Sequence, residues 1–429
     1  MGVYLQYGYI HAPYSIYKNI YKLEPGELIE FDINQFDATH DKNFNKHFSN
    51  KSFKDFDQLI IDSHKSRLVS DVPIATMLSG GVDSTLTNII YKKFINNSEK
   101  VFTLGIQDST LDESEIALKQ TKKWNLNHHI ININKADIVK EFKNVSNFLD
   151  EPFADSSSIL VSLLSKEISK EYKVVISSDG GDELLYGYSR HRFYKIFHRL
   201  INLPRFLKKF LTKILLTKII KKLFNFIRIS HVDLKINKIL SFLNQDNKLN
   251  AYFSLLKITP DFISDKLLLS YQGDTLIKHY DGKLKSIKDI DYNFYLPSIN
   301  FKNDRCGMQY CLEIREPMLN FDIVRHFYGN IMSIIDLIYP KKLFRYYLKK
   351  NRTFVQRKKH GFSFSQKEIL EFNNYELISY LEKNLKLISD LFNINFILQM
   401  IDEFKRQSKW TTELWILLSF AIWLKNKVE

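Results

Sequence analysis

Four short apolar segments, PIATML, KVFTLGI, HHIININ and KVVISSD, alternate along the chain with longer stretches whose apolar residues recur at helical spacing. The longer stretches are STLTNIIYKKFIN, DESEIALKQTKKWN, ADIVKEFKNVSNFL and SSILVSLLSKEISKEY. Strands separated by helices of this length cannot pair as hairpins, so the alternation predicts an α/β fold built on a doubly wound parallel sheet. Ligands of such sheets sit beyond the carboxyl ends of the strands. The unusual sequences fall there: SGGVDS follows the first strand, GIQDSTLDES the second and SDGGDELLYGY the last.

A chain of 429 residues, 45% of them hydrophobic, is long enough for roughly two to three domains with real cores. Residues 1–36 read as short extended pieces and turns, with a strand-like alternation in PGELIEFD. Residues 37–54 are polar and read as a linker. Residues 55–194 hold the α/β core, opening with a helical pattern from about Asp55 to Arg67, and residues 195–429 form a large helical part that caps or covers the sheet. Only Cys306 and Cys311 are present, too few for a disulfide framework, and both read as small buried side chains. No signal peptide is visible, and LWILLSFAIWL is too short to span a bilayer, so a cytoplasmic protein without a membrane span is expected.

The net charge of +14 is concentrated. From Arg190 to Lys238 there are 14 Lys or Arg against the single acid Asp233, a local excess of +13, among Leu, Ile and Phe at three- and four-residue intervals. A solvated basic face on packed helices is the first reading; a polyanion contact and a membrane surface are the alternatives.

Within SGGVDS, Ser79, Gly80 and Gly81 lie between a strand and a helix, where backbone N–H groups and the helix N-terminus attract an anion. The Lys of a P-loop is missing and Asp83 stands in its place, which suits phosphates only if a divalent cation intervenes. Asp182, from the last strand end, supplies a second oxygen ligand for Mg²⁺. His128 and His129 lack ligand spacing and read as structural.

SGGVDS resembles the signature of the ATP-pyrophosphatases, the adenine-nucleotide α-hydrolase fold group whose members cleave ATP between the α and β phosphates. LDEPFADSSSI and SSDGGDELLYGY narrow the resemblance to the synthetase domain of glutamine-hydrolysing asparagine synthetases, as do KNDRCGMQYCLEIREPMLN, RKKHGF and ELWILLSFAIWL. The resemblance covers most of residues 50–429. It implies a ligase that converts aspartate and ATP to β-aspartyl-AMP and pyrophosphate, after which ammonia releases asparagine and AMP. By position, Ser79, Gly80, Gly81 and Ser84 would hold pyrophosphate, with Asp83 and Asp182 on Mg²⁺. Leu78 and Ile106 would line the adenine site, with Ser177, Ser178 and Gly180 beside it. Lys359 falls on the lysine of the family's R-x-K-x-x-F pattern and would stabilise charge on the adenylate; by its own surroundings it reads as part of a solvated charge run. Asp179 would help deprotonate the amine. Asp304, Arg305, Glu313 and Arg315 read either as substrate contacts or as an ordinary ion-pair network.

Glutamine-dependent members begin Met-Cys, whereas this chain begins Met1-Gly2. Its first 36 residues nonetheless resemble the end of a glutaminase domain, so no glutaminase activity is expected from this chain alone. Ammonia would come free or from a separate glutaminase subunit, and a homodimer is compatible with the resemblance. Ser178 in place of Gly, LLYGY in place of LFGGY and Asn320 in place of Asp are further departures, and Tyr186 and Ser178 are expected to narrow the pocket. The competing expectations are the same adenylation on another acid, as in cyclising or surface-polysaccharide amidating relatives, an RNA-modifying ATP-pyrophosphatase, and an inactive relic. Nucleic acid is disfavoured because no Cys cluster accompanies the loop.

Overall fold

The structure is a computed structural model that describes all of the chain except residues 35–36, 42–55, 96–98, 108, 110, 218–231, 271–274, 281–283, 329–331, 354, 356–361 and 429. Most of the expected linker, 37–54, and part of the basic segment therefore lie outside the described residues.

The chain opens with helix α1 (Gly2–Tyr7), where extended pieces were expected. Tertiary packing explains it: Tyr4 and Leu5 are buried in the main core, and the Tyr4 hydroxyl donates to the carbonyl of Ile416 at 2.9 Å. An antiparallel hairpin follows, pairing β1 (Leu28–Asp32) with β2 (Asp37–Asp41), so the expected linker begins as a strand.

Helix α2 (Phe56–Lys65) leads into the α/β layer of β3 (Ile74–Met77), α3 (Val82–Ile90), β4 (Val101–Ile106), α4 (Ser114–Trp124), β5 (His128–Ile133), α5 (Lys135–Phe148), α6 (Ser157–Ile168) and β6 (Val174–Ile176). A fifth strand, β7 (Glu313–Arg315), arrives from far along the chain. The sheet runs β5-β4-β3-β6-β7 with every pair parallel, as the alternation requires. Register is fixed by Ala75 opposite Val175 and Ile176 opposite Arg315. All six residues of β4 and all three of β6 are buried, which is why these strands read as continuous apolar runs. β7 escapes a sequence search because its three residues are Glu, Ile and Arg at a sheet edge. Asn134 and Asp137 start α5 with a reciprocal cap, each side chain accepting from the other's backbone N–H at 3.1 and 2.9 Å.

After the short helix α7 (Gly181–Leu184), the remaining described elements are mostly helical: α8 (Ser189–Phe197), α9 (Arg205–Leu215), α10 (Val232–Leu243), α11 (Lys248–Leu256), α12 (Leu296–Met308), α13 (Lys342–Lys350), α14 (Ile394–Gln407) and α15 (Thr411–Val428) among them. The apolar run LWILLSFAIWL forms the middle of α15 and is buried all round, packed on α1, α5 and α14. Among the described residues no helix is long and apolar enough to cross a membrane. Trp415 stacks on Phe142 with centroids 4.3 Å apart and donates its indole N–H to the carbonyl of Ala154 at 3.1 Å. His128 is structural as expected, its ring held between the hydroxyls of Thr121 and Thr103. Cys306 is buried but Cys311 is exposed, contrary to expectation, because the chain turns there with φ 56° to enter β7.

Trp415→Ala removes the stack, the hydrogen bond and the filled volume together; denaturant unfolding should show a loss of about 3–5 kcal/mol.

Candidate active site

The loop after β3 is shaped by a close approach. Gly80 has φ 76°, and a Cβ there would lie 2.8 Å from Ile116 Cγ2 and 3.0 Å from the Ala117 nitrogen, so α4 abuts the loop too tightly for any side chain. Asn88 locks strand to helix, donating to the carbonyls of Met77 (3.0 Å) and Ser84 (2.8 Å) while accepting from the Thr76 hydroxyl (2.6 Å). Ser84 Oγ accepts from the Ser79 backbone N–H at 3.2 Å and lies 3.1 Å from the Ser79 hydroxyl. Gly81 is the extended residue at the start of α3, with Asp83 in its first turn. The result is a compact cradle of hydroxyls and N–H groups at a helix N-terminus.

The loop after β6 faces it. Ser177 donates its hydroxyl to Asp179 at 2.5 Å, Gly180 turns the chain with φ 98°, and α7 carries Asp182. The Lys341 ammonium, preceding α13, joins the two strand ends, pairing with Asp83 and with Asp182 at 2.5 Å. Lys341 and Asp83 are buried there. Burial alone would lower the Lys341 value, but Asp182 and Asp83 outweigh it and raise it, so the cation is held charged. Gly187 completes the fit: a Cβ at that position would collide with the Asp182 carboxylate and with Lys341 Cε.

Between the loops lies a cleft of about 150 Å³ lined by Leu78, Ser79, Asp83, Ser84, Ile106, Ser177, Ser178, Asp179, Gly180, Asp182, Glu183, Lys302 and Asn303. Almost every residue expected at a nucleotide site is thus brought to one place, with Gly80 and Gly81 in the adjoining turn. Lys359 lies outside the described residues, although Phe362 and Ser363, just beyond it, do line the cleft. Tyr186 does not narrow the cleft as expected; with φ 55° it turns aside to lie under the Lys288 ammonium, 4.6 Å away.

The four acyl-site candidates Asp304, Arg305, Glu313 and Arg315 are not at the cleft. A helix turns about 100° per residue, so Lys302 and Asn303 face inward while Asp304 and Arg305 face out. Arg305 pairs with Asp150 at 3.3 Å and approaches Asp304 at 4.0 Å on the surface. Arg315 pairs with Glu313 at 2.8 Å and donates to the carbonyls of Arg67 and Val69, fastening β7 to the segment after α2. All four take part in ion pairs away from the cleft lining.

Sequence reasoning did not pick out several other side chains at or beside the cleft. Lys302 donates to Ser157 Oγ at 2.8 Å and pairs with Asp155 at 3.3 Å; burial would raise the Asp155 carboxyl, but Lys302 overcomes it and holds it low. The buried Asn303 amide donates to both Asp179 (2.9 Å) and Glu316 (3.0 Å). Burial, with a smaller push from Asp179, raises the Glu316 carboxyl to about 7. Burial followed by Asp182 likewise raises Glu183 to about 7, against the Tyr188 hydroxyl that donates to it at 2.5 Å. Lys302 and Asn303 begin a motif already singled out, whereas Lys341 stands in PKKLFRYYLKK, indistinguishable by pattern from a solvated helix face.

Asp83 and Asp182 offer hard oxygen ligands that one cation already bridges, and among the described residues no cluster of three or more His, Cys, Asp or Glu side chains is present. Two carboxylates fit Mg²⁺, which takes few protein ligands and fills its shell with water and phosphate oxygens.

Lys341→Met leaves two close carboxylates without their cation. The variant should lose about 3–5 kcal/mol of stability at pH 8, and millimolar Mg²⁺ should raise its melting temperature more than that of the wild type. Glu316 has a folded-state value above its unfolded one, so its contribution is intact below about 4.5 and lost as pH rises through about 7. Glu316→Gln should therefore be more stable than wild type at pH 8 by on the order of 2 kcal/mol, with the difference vanishing toward pH 4.5 in urea unfolding.

The sequence profile of the asparagine synthase family matches residues 55–425. A putative glutamine-hydrolysing asparagine synthetase of Methanocaldococcus jannaschii is 30% identical over 203 residues, 44% of this chain and 38% of that protein. Glutamine-hydrolysing asparagine synthetase 1 of Bacillus subtilis is 28% identical over 196 residues, 44% of this chain and 30% of that protein. The amidase chry2 of Gibberella zeae is 23% identical over 203 residues, 42% of this chain and 30% of that protein. The matches span well under half the length of these relatives.

Proposed function

This chain belongs to the asparagine synthase family of ATP-dependent ligases, and we propose that it adenylates the side-chain carboxylate of aspartate with Mg-ATP and transfers the acyl group to ammonia, giving asparagine, AMP and pyrophosphate. The observation that carries the reading is the convergence of two strand-end loops on Lys341: a hydroxyl and N–H cradle on one side, and paired carboxylates from both.

In this reading Ser79, Gly80, Gly81 and Ser84 hold the departing pyrophosphate through N–H and hydroxyl donors. Leu78 and Ile106 give an apolar slot for adenine, beside Ser177, Ser178 and Gly180. Mg²⁺, held by Asp83 and Asp182, would supply charge neutralisation at the phosphates. Lys341, already between those carboxylates, adds a fixed positive charge where negative charge leaves. The acid lies toward Lys302 and Asn303, and Asp179 accepts a proton from the attacking amine. Lys359, by its place in R-x-K-x-x-F, is assigned to the charge on the acyl adenylate. Ammonia arrives free or from a glutaminase partner, in line with the glutamine-hydrolysing names of the relatives.

A second reading keeps this chemistry on another acid. It is favoured by the polar Asn303 amide that lines the cleft and by the likeness to a protein called an amidase.

Labelled pyrophosphate exchange into ATP, with Mg²⁺ and a panel of carboxylic acids, separates the readings. Aspartate-dependent exchange, followed by asparagine formation with ammonium, is expected; exchange with a different acid alone moves the assignment to the second reading, and none with any acid overturns adenylation. Asp83→Asn should lower exchange by at least about a hundredfold.

A further inference from the structure

Helix α9 covers the core with only part of its apolar surface. Leu211 and Leu215 pack against the cluster containing Phe242 and Tyr252. Phe206, Phe210, Leu207 and Ile214 face solvent instead, 69, 60, 37 and 36% exposed. At about 100° per residue these four occupy one arc roughly 100° wide, between the buried leucines on one side and Lys213, Lys209 and Arg205 on the other. No ion pair joins Arg205, Lys209 or Lys213 to an acid among the described residues. The helix lies inside the segment that carries +13 of the chain's +14.

We propose that α9 is a docking surface for an anionic lipid bilayer. Its exposed Phe206, Leu207, Phe210 and Ile214 enter the boundary between headgroups and acyl chains, while Arg205, Lys209 and Lys213 lie among the acidic headgroups. A helix with a strong apolar face, a basic face and no span-length apolar run lies in the interface plane rather than across it. The alternatives fit this helix less well. RNA rewards the cations and can stack on aromatic rings, but it offers nothing to an arc that also holds Leu207 and Ile214. A two-fold contact between copies would bring two strongly basic segments together.

The test is flotation of the full chain with vesicles of phosphatidylcholine alone or with one-quarter phosphatidylglycerol, at 0.1 and 0.5 M salt. Binding to the anionic vesicles, weakened by salt, is expected. Lys209→Glu with Lys213→Glu should lower partition more than tenfold, since each basic residue near the surface contributes about fivefold. Phe206→Ser with Phe210→Ser should abolish it, and both variants should keep the wild-type circular dichroism and melting temperature. In a Cys311→Ser background, Phe210→Cys should react with a maleimide as fast as an exposed thiol. Protection of that thiol in the free protein, wild-type binding to neutral vesicles only, tighter binding to a single-stranded RNA than to any vesicle, or a dimer that Phe206→Ser with Phe210→Ser dissociates would each overturn the proposal.

Discussion

One buried ammonium holds together what the sheet by itself would drive apart. The carboxyl ends of β3 and β6 lie side by side, and the loops that follow them aim Asp83 and Asp182 at the same point. Two carboxylates so placed in a largely dehydrated site repel each other and lose hydration, a penalty of several kcal/mol for each desolvated ion. Lys341 removes the conflict, and the constraint spreads outward. The chain must enter α13 through a left-handed Lys341, with φ 56°, to bring the ammonium in. Gly187 must lack a side chain so that Asp182 and the lysine stem can meet. Phe344, in the first turn of α13, is buried in the cluster that also contains Val82 and Leu86 of α3. Packing and charge therefore fix the same geometry from opposite sides.

The small size of the central sheet explains why so much helix surrounds it. Strands of three to six residues bury little by themselves, and the cover comes from far along the chain. α15 supplies a shaft of Leu, Ile, Trp and Phe that is buried on every side, and α1 closes over it through Tyr4. Each fully buried large side chain contributes about 1.5–3 kcal/mol, so the first and last helices of the described chain stabilise the strands that carry the site.

What the sequence made legible follows from which physical signals are local. The four strands of the alternation and their helices are recorded in short-range periodicity, and the residues of SGGVDS and SSDGGDE meet because the topology leaves them no other place. β7 was not legible, because an edge strand of three residues has no periodicity of its own. Nor was Lys341, whose role depends on a left-handed entry into α13 and on carboxylates more than 150 residues earlier. For the KNDR stretch the right turn of helix was singled out but the wrong face was read: the charged Asp304 and Arg305 look more chemical than Asn303, and it is Asn303 that reaches Asp179 and Glu316. Charge in a sequence marks surfaces as readily as sites, whereas a buried amide bridging two carboxyls announces itself only in three dimensions.

The loop after β6 is also held from behind. Tyr188 donates to Glu183, next to Asp182, and the Tyr188 ring lies under the Arg190 guanidinium at 3.9 Å, with the Tyr295 ring edge-on to it and 4.1 Å from the same guanidinium. Arg190 and the Tyr252 hydroxyl both donate to Asp291, at 3.1 and 2.8 Å, and His191 completes the group. Burial would raise the Asp291 carboxyl, but Arg190 and His191 prevail and keep it ionised. A buried ion with this many donors has no nearby alternative partner, so α8, α11 and the segment before α12 are locked as one block. The Glu183 carboxyl is the end of that block that reaches the cleft. The loop edge that carries Asp182 is thereby set by two networks, Lys341 from the front and Asp291 from behind, and a displacement of either must move Asp182. Such over-determination is what preorganised electrostatics requires: dipoles and charges must be in position before the reacting groups arrive, because reorganising them during the reaction would raise the barrier they exist to lower.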